Sequence, residues 1–295
     1  MKELVVISGK GGTGKTSIVA SFACLTDRAI VADCDVDAAD LHLVLEPEIR
    51  ERTEFSGGSR ATVLDELCNG CGECQRLCRF DAVSCIPGTN GSDRFAIDPV
   101  ACEGCGVCAR FCPADAITFG PAVNGEWFVS DTRHGPMVHA KLGAGEENSG
   151  KLVSVVRKQA KKIAEQRGLD LVLIDGSPGI GCPVIASVAG ADLALVVTEP
   201  TLSGLHDLQR VADLTRHFKV GTHVCINKWD LNEDVTHQIE KRAAEQGITL
   251  AGKVRYDRAV TEAQITKQSL VEYQRNGAAV DVRRLWDTVH EGLTR

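Results

Sequence analysis

Two runs of cysteines with the same spacing constrain this chain more than any other feature of its sequence. The first run, from Cys68 to Cys78, reads C-x2-C-x2-C-x3-C, and the second run, from Cys102 to Cys112, repeats that spacing. Thiolates spaced in this way hold a cubane iron–sulfur cluster. Structural zinc sites use paired C-x2-C arms separated by a longer loop, and disulfide frameworks suit short secreted chains. The spacing therefore favours iron–sulfur ligands over zinc or disulfides.

The two runs are also homologous to each other. Residues 68–82 and 102–116 match at nine of 15 positions at a fixed offset of 34 residues, which indicates an internal duplication. The segment resembles two-cluster bacterial ferredoxins, in which the fourth cysteine of each run binds the cluster of the other run. The resemblance implies two [4Fe–4S] clusters with crossed ligand sets, one of Cys68, Cys71, Cys74 and Cys112 and the other of Cys102, Cys105, Cys108 and Cys78.

Composition bounds the possible classes of protein. A chain of 295 residues with 43% hydrophobic content can bury a large core and is expected to form two domains. A net charge of −7 argues against direct binding of nucleic acid. The apolar run at the N-terminus is too short for a signal peptide, and no run approaches a membrane span, so we expect a cytoplasmic protein without membrane attachment.

The remaining cysteines and the histidines carry weaker signals. We expect the five cysteines outside the two runs to be buried small apolar residues, namely Cys24, Cys34, Cys85, Cys182 and Cys225. A metal shared between subunits at Cys182 stays open as an alternative. His134, His139 and His206 lack ligand spacing with another histidine or cysteine, so we expect hydrogen-bonded or surface histidines.

Hydrophobic patterns predict an α/β fold. Short apolar runs at residues 4–8, 29–33, 171–174, 193–197 and 224–226 alternate with helical stretches, which indicates a parallel sheet with helices on both faces. The cysteine-rich segment interrupts this pattern. We therefore expect an α/β domain in two parts, residues 1–60 and 121–295, with an α+β ferredoxin domain inserted at 61–120. An apolar stripe at 282–293 predicts a terminal helix that packs on the core.

A glycine-rich loop follows the first predicted strand and precedes a helix. Its sequence, GKGGTGKT, satisfies G-x-x-x-x-G-K-[ST], in which backbone N–H groups wrap phosphate oxygens and the helix N-terminus adds a positive field. Lys15 is expected to reach the β- and γ-phosphates, and Thr16 to bind Mg²⁺. The residues expected to bind nucleotide here are Gly9, Lys10, Gly11, Gly12, Thr13, Gly14, Lys15, Thr16 and Ser17.

The second lysine of the loop, Lys10, makes the chain resemble the deviant Walker A ATPases of the MinD/ParA group. That group includes nitrogenase iron protein, the arsenite and tail-anchor ATPases and the Mrp-type cluster carriers. The resemblance implies a homodimer, or a heterodimer with a related ATPase, that holds ATP between its subunits. It also implies that Lys10 reaches across to the phosphates bound by the partner.

Three further segments match the group. The strand ending at residues 33–37, DCDVD, resembles switch I, which implies that Asp35 orients the attacking water and Asp33 supports the Mg²⁺ shell. The strand ending at Asp175 resembles the Walker B segment, so Asp175 is expected to hold Mg²⁺ through water. Asn227 and Lys228 lie in the segment that reads the base. The sequence NKWD also resembles the guanine-reading N-K-x-D of GTPases, but the deviant loop favours adenine.

Nearly the whole chain resembles MinD-superfamily ATPases that contain an inserted ferredoxin domain, some of which are associated with orange-protein-type complexes. The resemblance implies a slow Mg-ATPase with Lys10, Lys15 and Asp35 as catalytic residues, in which nucleotide gates the clusters for an unidentified redox or metal-cluster partner. An iron–sulfur or metal carrier, and a positioning ATPase of a cell-division complex, remain the alternatives.

Overall fold

A computed structural model describes residues 1–87, 93–143 and 149–294 of the chain. The chain divides into two compact units. The first comprises Met1–Thr53, Trp127–Lys141 and Ser149–Arg295, and the second comprises Glu54–Glu126 and Leu142–Asn148. The insert that the sequence predicts at 61–120 lies within the second unit, which begins seven residues earlier and also includes a later segment.

The strands of the described residues, in chain order, are β1 (Lys2–Ser8), β2 (Ala29–Cys34), β3 (Glu48–Phe55), β4 (Gly58–Val63), β5 (Val83–Ile86), β6 (Arg94–Ile97), β7 (Ile117–Ala122), β8 (Gly125–Thr132), β9 (Gly135–Leu142), β10 (Leu171–Pro178), β11 (Leu193–Thr198), β12 (Gly221–Asn227) and β13 (Thr249–Val254). The helices are α1 (Lys15–Cys24), α2 (Leu41–Leu45), α3 (Glu73–Leu77), α4 (Val107–Arg110), α5 (Ser149–Arg167), α6 (Cys182–Val188), α7 (Leu202–His217), α8 (Glu233–Glu245), α9 (Ala259–Ile265), α10 (Leu270–Tyr273) and α11 (Ala278–Thr294).

A nine-stranded sheet organises the first unit, in the order β13-β12-β11-β1-β10-β2-β9-β8-β3. The six strands from β13 to β2 pair in parallel, and β2 pairs in parallel with β9. All the residues of β2 and β11 are buried, as expected for strands covered by helices on both faces. The five apolar runs that predicted strands are confirmed as β1, β2, β10, β11 and β12.

The edge formed by β9, β8 and β3 was not predicted from the sequence. Strands β8 and β9 follow each other across a two-residue connection, Arg133–His134, which is too short for anything but an antiparallel hairpin. Strand β3 lies at the open edge, and all but the last of its eight residues are exposed. Its sequence, EIRERTEF, is dense in charge, which is how proteins keep an open edge from pairing with another chain.

The terminal helix α11 packs on the core, as the apolar stripe predicts. Val282, Leu285, Val289 and Leu293 are buried, and the Trp286 ring lies 4.8 Å from the ring of Phe22 in α1. No helix of the described residues is long and apolar enough to cross a membrane.

The second unit contains two small antiparallel sheets, β4-β7 and β5-β6, and the short helices α3 and α4. The duplication in the sequence reappears in its backbone. Gly72 and Gly106, which precede the two helices, both have φ of 72°, and Asp81 and Asp115 have φ of 52° and 49°. Each pair is separated by the 34-residue offset of the sequence repeat, so the two halves have the same local conformation.

Candidate functional site

The glycine-rich loop lies at the carboxyl end of β1, between two cavities of the first unit. A cavity of about 430 Å³ is lined by Lys15, Thr16 and Asp35, and a second of about 230 Å³ by Asn227, Lys228 and residues 254–257. Gly12 and Gly14 line both. Gly14 has φ of 90°, and a Cβ there would lie 2.4 Å from Nδ2 of Asn227, so the turn and the close approach both require glycine.

Lys15 is the buried cation of the loop. Its side chain is only 5% exposed, and its Nζ lies 3.8 Å from Oδ2 of Asp35. Burial raises the pKa of Asp35 to about 6, although the charge of Lys15 opposes that rise. The loop thus presents a nearly dehydrated ammonium group, which interacts strongly with any anion that enters the cavity.

Two further carboxylates lie beneath the loop on neighbouring strands. Asp33 of β2 and Asp175 of β10 are register partners, and each is 1% exposed. Oδ1 of Asp33 accepts a hydrogen bond from the Asp35 N–H at 3.2 Å. Among the described residues, no group lies in good hydrogen-bonding geometry with Oδ2 of Asp33 or with either oxygen of Asp175, although the nearby Thr16 hydroxyl lowers the pKa of Asp175. Burial and the nearby carboxylates raise the pKa of both groups. Oxygen atoms left unpartnered in such a place suit a hydrated divalent cation.

The second lysine of the loop is held by side chains that follow β11. Nζ of Lys10 lies 3.3 Å from Oε2 of Glu199 and 3.4 Å from the hydroxyls of Thr201 and Ser203. Oε1 of the same glutamate accepts a hydrogen bond from Lys228 at 2.5 Å. A single carboxylate, 14% exposed, therefore pairs with a lysine from each end of the nucleotide site. No sequence motif marks Glu199 as part of the site.

Asn227 and Lys228 hold the loop as well as lining the cavity. Nδ2 of Asn227 donates to the Thr13 carbonyl at 2.8 Å, and its Oδ1 accepts from the Lys228 N–H at 3.0 Å. Asp230, the aspartate of NKWD, accepts from the Tyr256 N–H at 2.7 Å and does not line the cavity.

The segment after β13 was not recognised in the sequence as part of the site. Arg255 makes a two-pronged ion pair with Asp281 of α11, at 2.6 and 2.9 Å, which fixes the segment to the terminal helix. From α9, Gln264 donates to the Ser17 hydroxyl at 3.0 Å and lines both cavities. No sequence motif marks these residues, because each one contacts a residue that is far away in the sequence.

The second unit gathers its cysteines in the crossed sets. One cavity is lined by Cys68, Cys71, Cys74 and Cys112, and another by Cys78, Cys102, Cys105 and Cys108. The fourth cysteine of each run thus lies with the first three of the other run. Burial and the neighbouring thiols of the same set raise the pKa of Cys74 and of Cys108. Four thiolates would therefore need a cationic group to stay ionised together.

Distances between the sulfurs bear on what each set could hold. A zinc ion bound tetrahedrally would bring its thiolates to about 3.8 Å from one another, given Zn–S bonds of about 2.3 Å. Among the described residues, no three sulfurs of either set lie within 4.8 Å of one another. A cubane places each thiolate on a different iron and so requires wider separations, and these sets suit that larger group.

The expectation that the five remaining cysteines are all buried was wrong, whereas the three histidines are hydrogen-bonded or exposed, as expected. Cys34 and Cys225 are buried as expected, but Cys85 and Cys182 are exposed and Cys24 is partly exposed. His134 lies within 4.8 Å of ligand atoms of Cys24 and Glu272, although the sequence separates them widely.

The group of His134, Cys24 and Glu272 does not suit a metal. The Glu272 carboxylate accepts hydrogen bonds from His134, from Arg133 on both oxygens and from the Ser269 N–H, at 2.7 to 2.9 Å. These contacts hold the pKa of Glu272 at about 2 despite its burial. A guanidinium already neutralises the carboxylate, so the group is an ion-pair network. His139 is buried against Ser130 at 2.9 Å, and His206 is on the surface, as expected.

We predict that Asp175→Asn stabilises the Mg-free first unit. A carboxyl whose pKa is raised on folding loses stability as pH rises through its folded pKa, and asparagine removes that cost. The free energy of unfolding should rise by about 1–3 kcal/mol at pH 8, and by less toward pH 4. Urea unfolding in EDTA, followed by tryptophan fluorescence, measures this unit alone, because Trp127, Trp229 and Trp286 all lie within it.

Asp37→Asn, at an exposed position beside the site, is the control for Asp175→Asn and should change stability by no more than about 0.5 kcal/mol. Equal or lower stability of Asp175→Asn at pH 8 would contradict the assignment of a costly buried charge.

Comparison with known proteins agrees with this geometry. The sequence profile of the CobQ/CobB/MinD/ParA nucleotide binding domain, CbiA, matches residues 4–271. The chain is 36% identical to the uncharacterized protein MJ0578 of Methanocaldococcus jannaschii over 236 residues, which are 78% of this chain and 79% of the relative.

Two solved structures share the fold. The cell division ATPase MinD of Pyrococcus furiosus superposes with a TM-score of 0.59 at 17% identity, over 98% of both chains. The septum site-determining protein MinD of Pyrococcus horikoshii, solved with Mg-ADP, gives 0.58 at 16% identity, over 98% of this chain and 95% of that chain. The first unit is thus an α/β P-loop NTPase fold with a mostly parallel sheet. Because the family profile spans most of its length, the chain belongs to the CobQ/CobB/MinD/ParA nucleotide binding domain family.

Proposed function

We propose that this protein is a slow, dimeric Mg-ATPase that carries two [4Fe–4S] clusters and uses its nucleotide state to gate their access to a redox or metal-cluster partner. The observation that carries the ATPase part is the arrangement at the carboxyl ends of β1, β2 and β10. There a buried lysine faces Asp35, and unpartnered carboxylate oxygens lie on Asp33 and Asp175 beneath a phosphate-binding loop.

Each of these groups has a place in phosphoryl transfer. Lys15 and the loop N–H groups neutralise and position the phosphates. Thr16, Asp33 and Asp175 would hold Mg²⁺, which supplies further positive charge to the phosphates. Asp35 lines the same cavity, and its carboxylate, which faces Lys15, can also accept a hydrogen bond from water, so we assign it the role of orienting the attacking water. Little else is required, because positioning and electrostatics supply most of the catalysis in this reaction.

The contacts around NKWD support adenine over guanine. The guanine-reading motif of GTPases needs a free aspartate at its last position, and here Asp230 is engaged by the Tyr256 N–H and lies outside the cavity lining. The side-chain amide of Asn227 is already hydrogen-bonded to the Thr13 carbonyl of the loop and to the Lys228 N–H. Beyond the loop and Asn227, many of the side chains that line this cavity are apolar, and the lining there consists of Lys228, residues 254–257, Ile18, Val260, Thr261, Gln264, Leu270 and Val282.

The position of Lys10 supports the dimer. This lysine is paired with Glu199 in its own subunit, but that glutamate also holds Lys228 at the shorter distance of 2.5 Å. If Lys10 moves away, the Glu199 carboxylate therefore still has Lys228 as its cationic partner. A lysine that is partly exposed and weakly held suits a role on the phosphates of a second subunit, whether that subunit is a second copy or a related ATPase.

The crossed cysteine sets support two cubanes. Each set surrounds its own cavity, and the sulfurs are too far apart for a single tetrahedral ion. When bound, the clusters supply one-electron redox chemistry. The chain's own contribution is four thiolates per site and the apolar walls around them. Thiolates of this kind suit a reducing cytoplasm.

Chain connectivity supports gating of the clusters by nucleotide. The second unit joins the sheet through β3 and β8, and β8 turns directly into β9. Strand β9 pairs with β2 at Val31 and Ala32, immediately before the switch residues Asp33 and Asp35. The chain therefore runs from the cysteine-rich segment through β8 directly into β9, the strand that pairs with β2, and ordering of the switch around a γ-phosphate would act through this connection.

A positioning ATPase is the second candidate. The structural neighbours are MinD proteins, named for cell division and septum-site determination. This likeness favours the positioning role more than it favours a redox role. At 16–17% identity, however, the likeness supports only a shared fold. A positioning role also does not explain two cavities that are each lined by four cysteines. The carrier alternative fits less well, because the described cysteines after the second run are single.

We predict that Lys15→Ala weakens nucleotide binding itself, whereas Lys10→Ala leaves binding nearly unchanged and removes turnover. Lys15→Ala should weaken nucleotide binding at least 100-fold, because it removes the buried cation of the site. Lys10→Ala should keep nucleotide affinity within about threefold and lose ATP-dependent dimerisation and turnover. Fluorescent-nucleotide titration, sizing in ATP and phosphate release measure these quantities. A Lys10→Ala protein that hydrolyses ATP at the parent rate would remove the argument for a shared site.

Glu199→Gln should favour the dimer. In this variant Lys10 loses its carboxylate partner within its own subunit. The protein concentration that gives half-maximal turnover should therefore fall about two- to fivefold, because one partly exposed ion pair contributes about that factor to an equilibrium constant. The control is Glu240→Gln, which removes a similar pair with Lys253 at 2.8 Å outside the site. An unchanged or higher half-maximal concentration in Glu199→Gln would show that Glu199 does not restrain Lys10.

Iron content tests the crossed cysteine sets. Anaerobically purified protein should hold about eight iron atoms, and any single serine variant about four. Cys68→Ser/Cys112→Ser should still hold about four, because both residues serve one cluster. Cys102→Ser/Cys112→Ser should hold almost none, because each residue serves a different cluster. The reverse pattern would mean that each run binds its own cluster.

A further inference from the structure

The two cysteine-lined cavities differ in what surrounds them, although the sequence repeat makes them equivalent. No large apolar side chain that lines the first cavity is exposed. At the second cavity, Phe80 is 47% exposed and Val107 is 37% exposed. The second cavity therefore has two large apolar side chains exposed in its lining beside the exposed Glu103, whereas the exposed lining of the first includes Asn69 and Pro113.

The helices beside the cavities show the same difference. Helix α3 begins with Glu73, which makes an ion pair with Arg76 on its surface. At the equivalent positions of α4 the chain has Val107 and Arg110. The Phe111 N–H donates to the Val107 carbonyl, so these two residues lie on one face of the turn, and Phe111 is 58% exposed.

An aromatic ring lies against the glycine that precedes each helix, but only one ring faces solvent. A Cβ on Gly72 would lie 3.2 Å from the Phe95 ring, and one on Gly106 would lie 3.1 Å from the Phe119 ring. Phe95 is 6% exposed, whereas Phe119 is 45% exposed. The second site thus has four exposed apolar side chains around it, which we call the apolar patch: Phe80, Val107, Phe111 and Phe119.

The patch lies in an acidic unit. Residues 54–126 contain ten acidic and five basic side chains, and no lysine. Near the patch, the exposed Asp81, Glu103 and Asp115 outnumber Arg79 and Arg110. A cubane with four thiolates adds further negative charge. An acidic surface of this kind attracts a partner of positive charge and raises the rate of encounter.

We propose that the apolar patch is the docking surface for a cationic electron-transfer protein, and that electrons pass between that partner and the cluster held by Cys78, Cys102, Cys105 and Cys108. The proposal rests on the proposed function, since it requires the clusters. With a reduced cluster held by these four cysteines, one electron would pass to the partner's redox centre, which would be reduced as the cluster is oxidised, with no bond made or broken. Redox complexes are small and short-lived, so four apolar side chains in an acidic surround are enough to form one. At the first site the equivalent of Val107 is Glu73, and the ring beside the helix, Phe95, is buried, so that site has fewer exposed apolar side chains.

Cytochrome c, a basic haem protein, is the probe for this surface. The full-length protein is purified anaerobically, and its binding to ferric cytochrome c is measured by calorimetry at low and high salt. The second-order rate of electron transfer from the reduced protein to ferric cytochrome c is measured by stopped flow. In Val107→Gln/Phe111→Gln, affinity and rate should both fall at least tenfold, which is about 1.4 kcal/mol, and the parent rate should fall with added salt. Iron content and the rate of oxidation by ferricyanide should not change.

Leu67→Gln/Ile86→Gln is the matched control, because these side chains are 53% and 51% exposed in the same unit and do not belong to the apolar patch. It should stay within twofold of the parent. If the patch variant loses iron, Phe111→Gln alone carries the test. An iron-replete patch variant within twofold of the parent, or a control that falls as far, would overturn the docking surface and leave the proposed function standing. A parent protein without iron would overturn both.

Discussion

The parallel sheet of the first unit imposes one constraint on everything else at the nucleotide site. Because β1, β2, β10, β11 and β12 run in the same direction, their carboxyl ends meet at one edge of the sheet. The lysines of the loop, the buried carboxylates, Glu199 and Asn227 all follow from that edge. The site is costly without ligands, since its carboxylates are buried with oxygens unpartnered. Occupancy by a metal and phosphates would relieve that cost, which links binding to the conformation of the switch strands.

Signals that lie within a short stretch of sequence were readable, and signals that depend on distant contacts were not. The loop, the aspartates in and after β2 and in β10, and the cysteine spacing are local patterns. The structure places the loop lysine beside Asp35, Asp33 beside Asp175, and the eight cysteines of the two runs around two cavities. Glu199 has no such pattern. Its importance comes from contacts with Lys10 and Lys228, which are 189 and 29 residues away. The Arg255–Asp281 pair and the β8–β9 hairpin were missed for the same reason.

Burial of single side chains was the least predictable property. Cysteine is most often buried, yet Cys85 and Cys182 are exposed. In the same way, the repeat predicts two equivalent cysteine sites, and the sets are indeed equivalent in geometry. Their surroundings differ because Phe95 is covered and Phe119 is not. A duplicated sequence conserves what holds a site together, while the residues that face solvent are free to diverge toward different partners.

In the proposed function, the nucleotide state of the first unit changes the redox properties of the clusters. The measurement that tests it most directly is an anaerobic redox titration monitored by EPR, carried out without nucleotide, with Mg-ADP and with a non-hydrolysable ATP analogue. We expect the midpoint potential of at least one cluster to differ between the ADP and ATP-analogue states by about 60 mV or more, which is a tenfold change in the equilibrium constant for reduction by one electron. Lys15→Ala should show no such shift. Two clusters with the same potentials in all three states of the parent protein would contradict it.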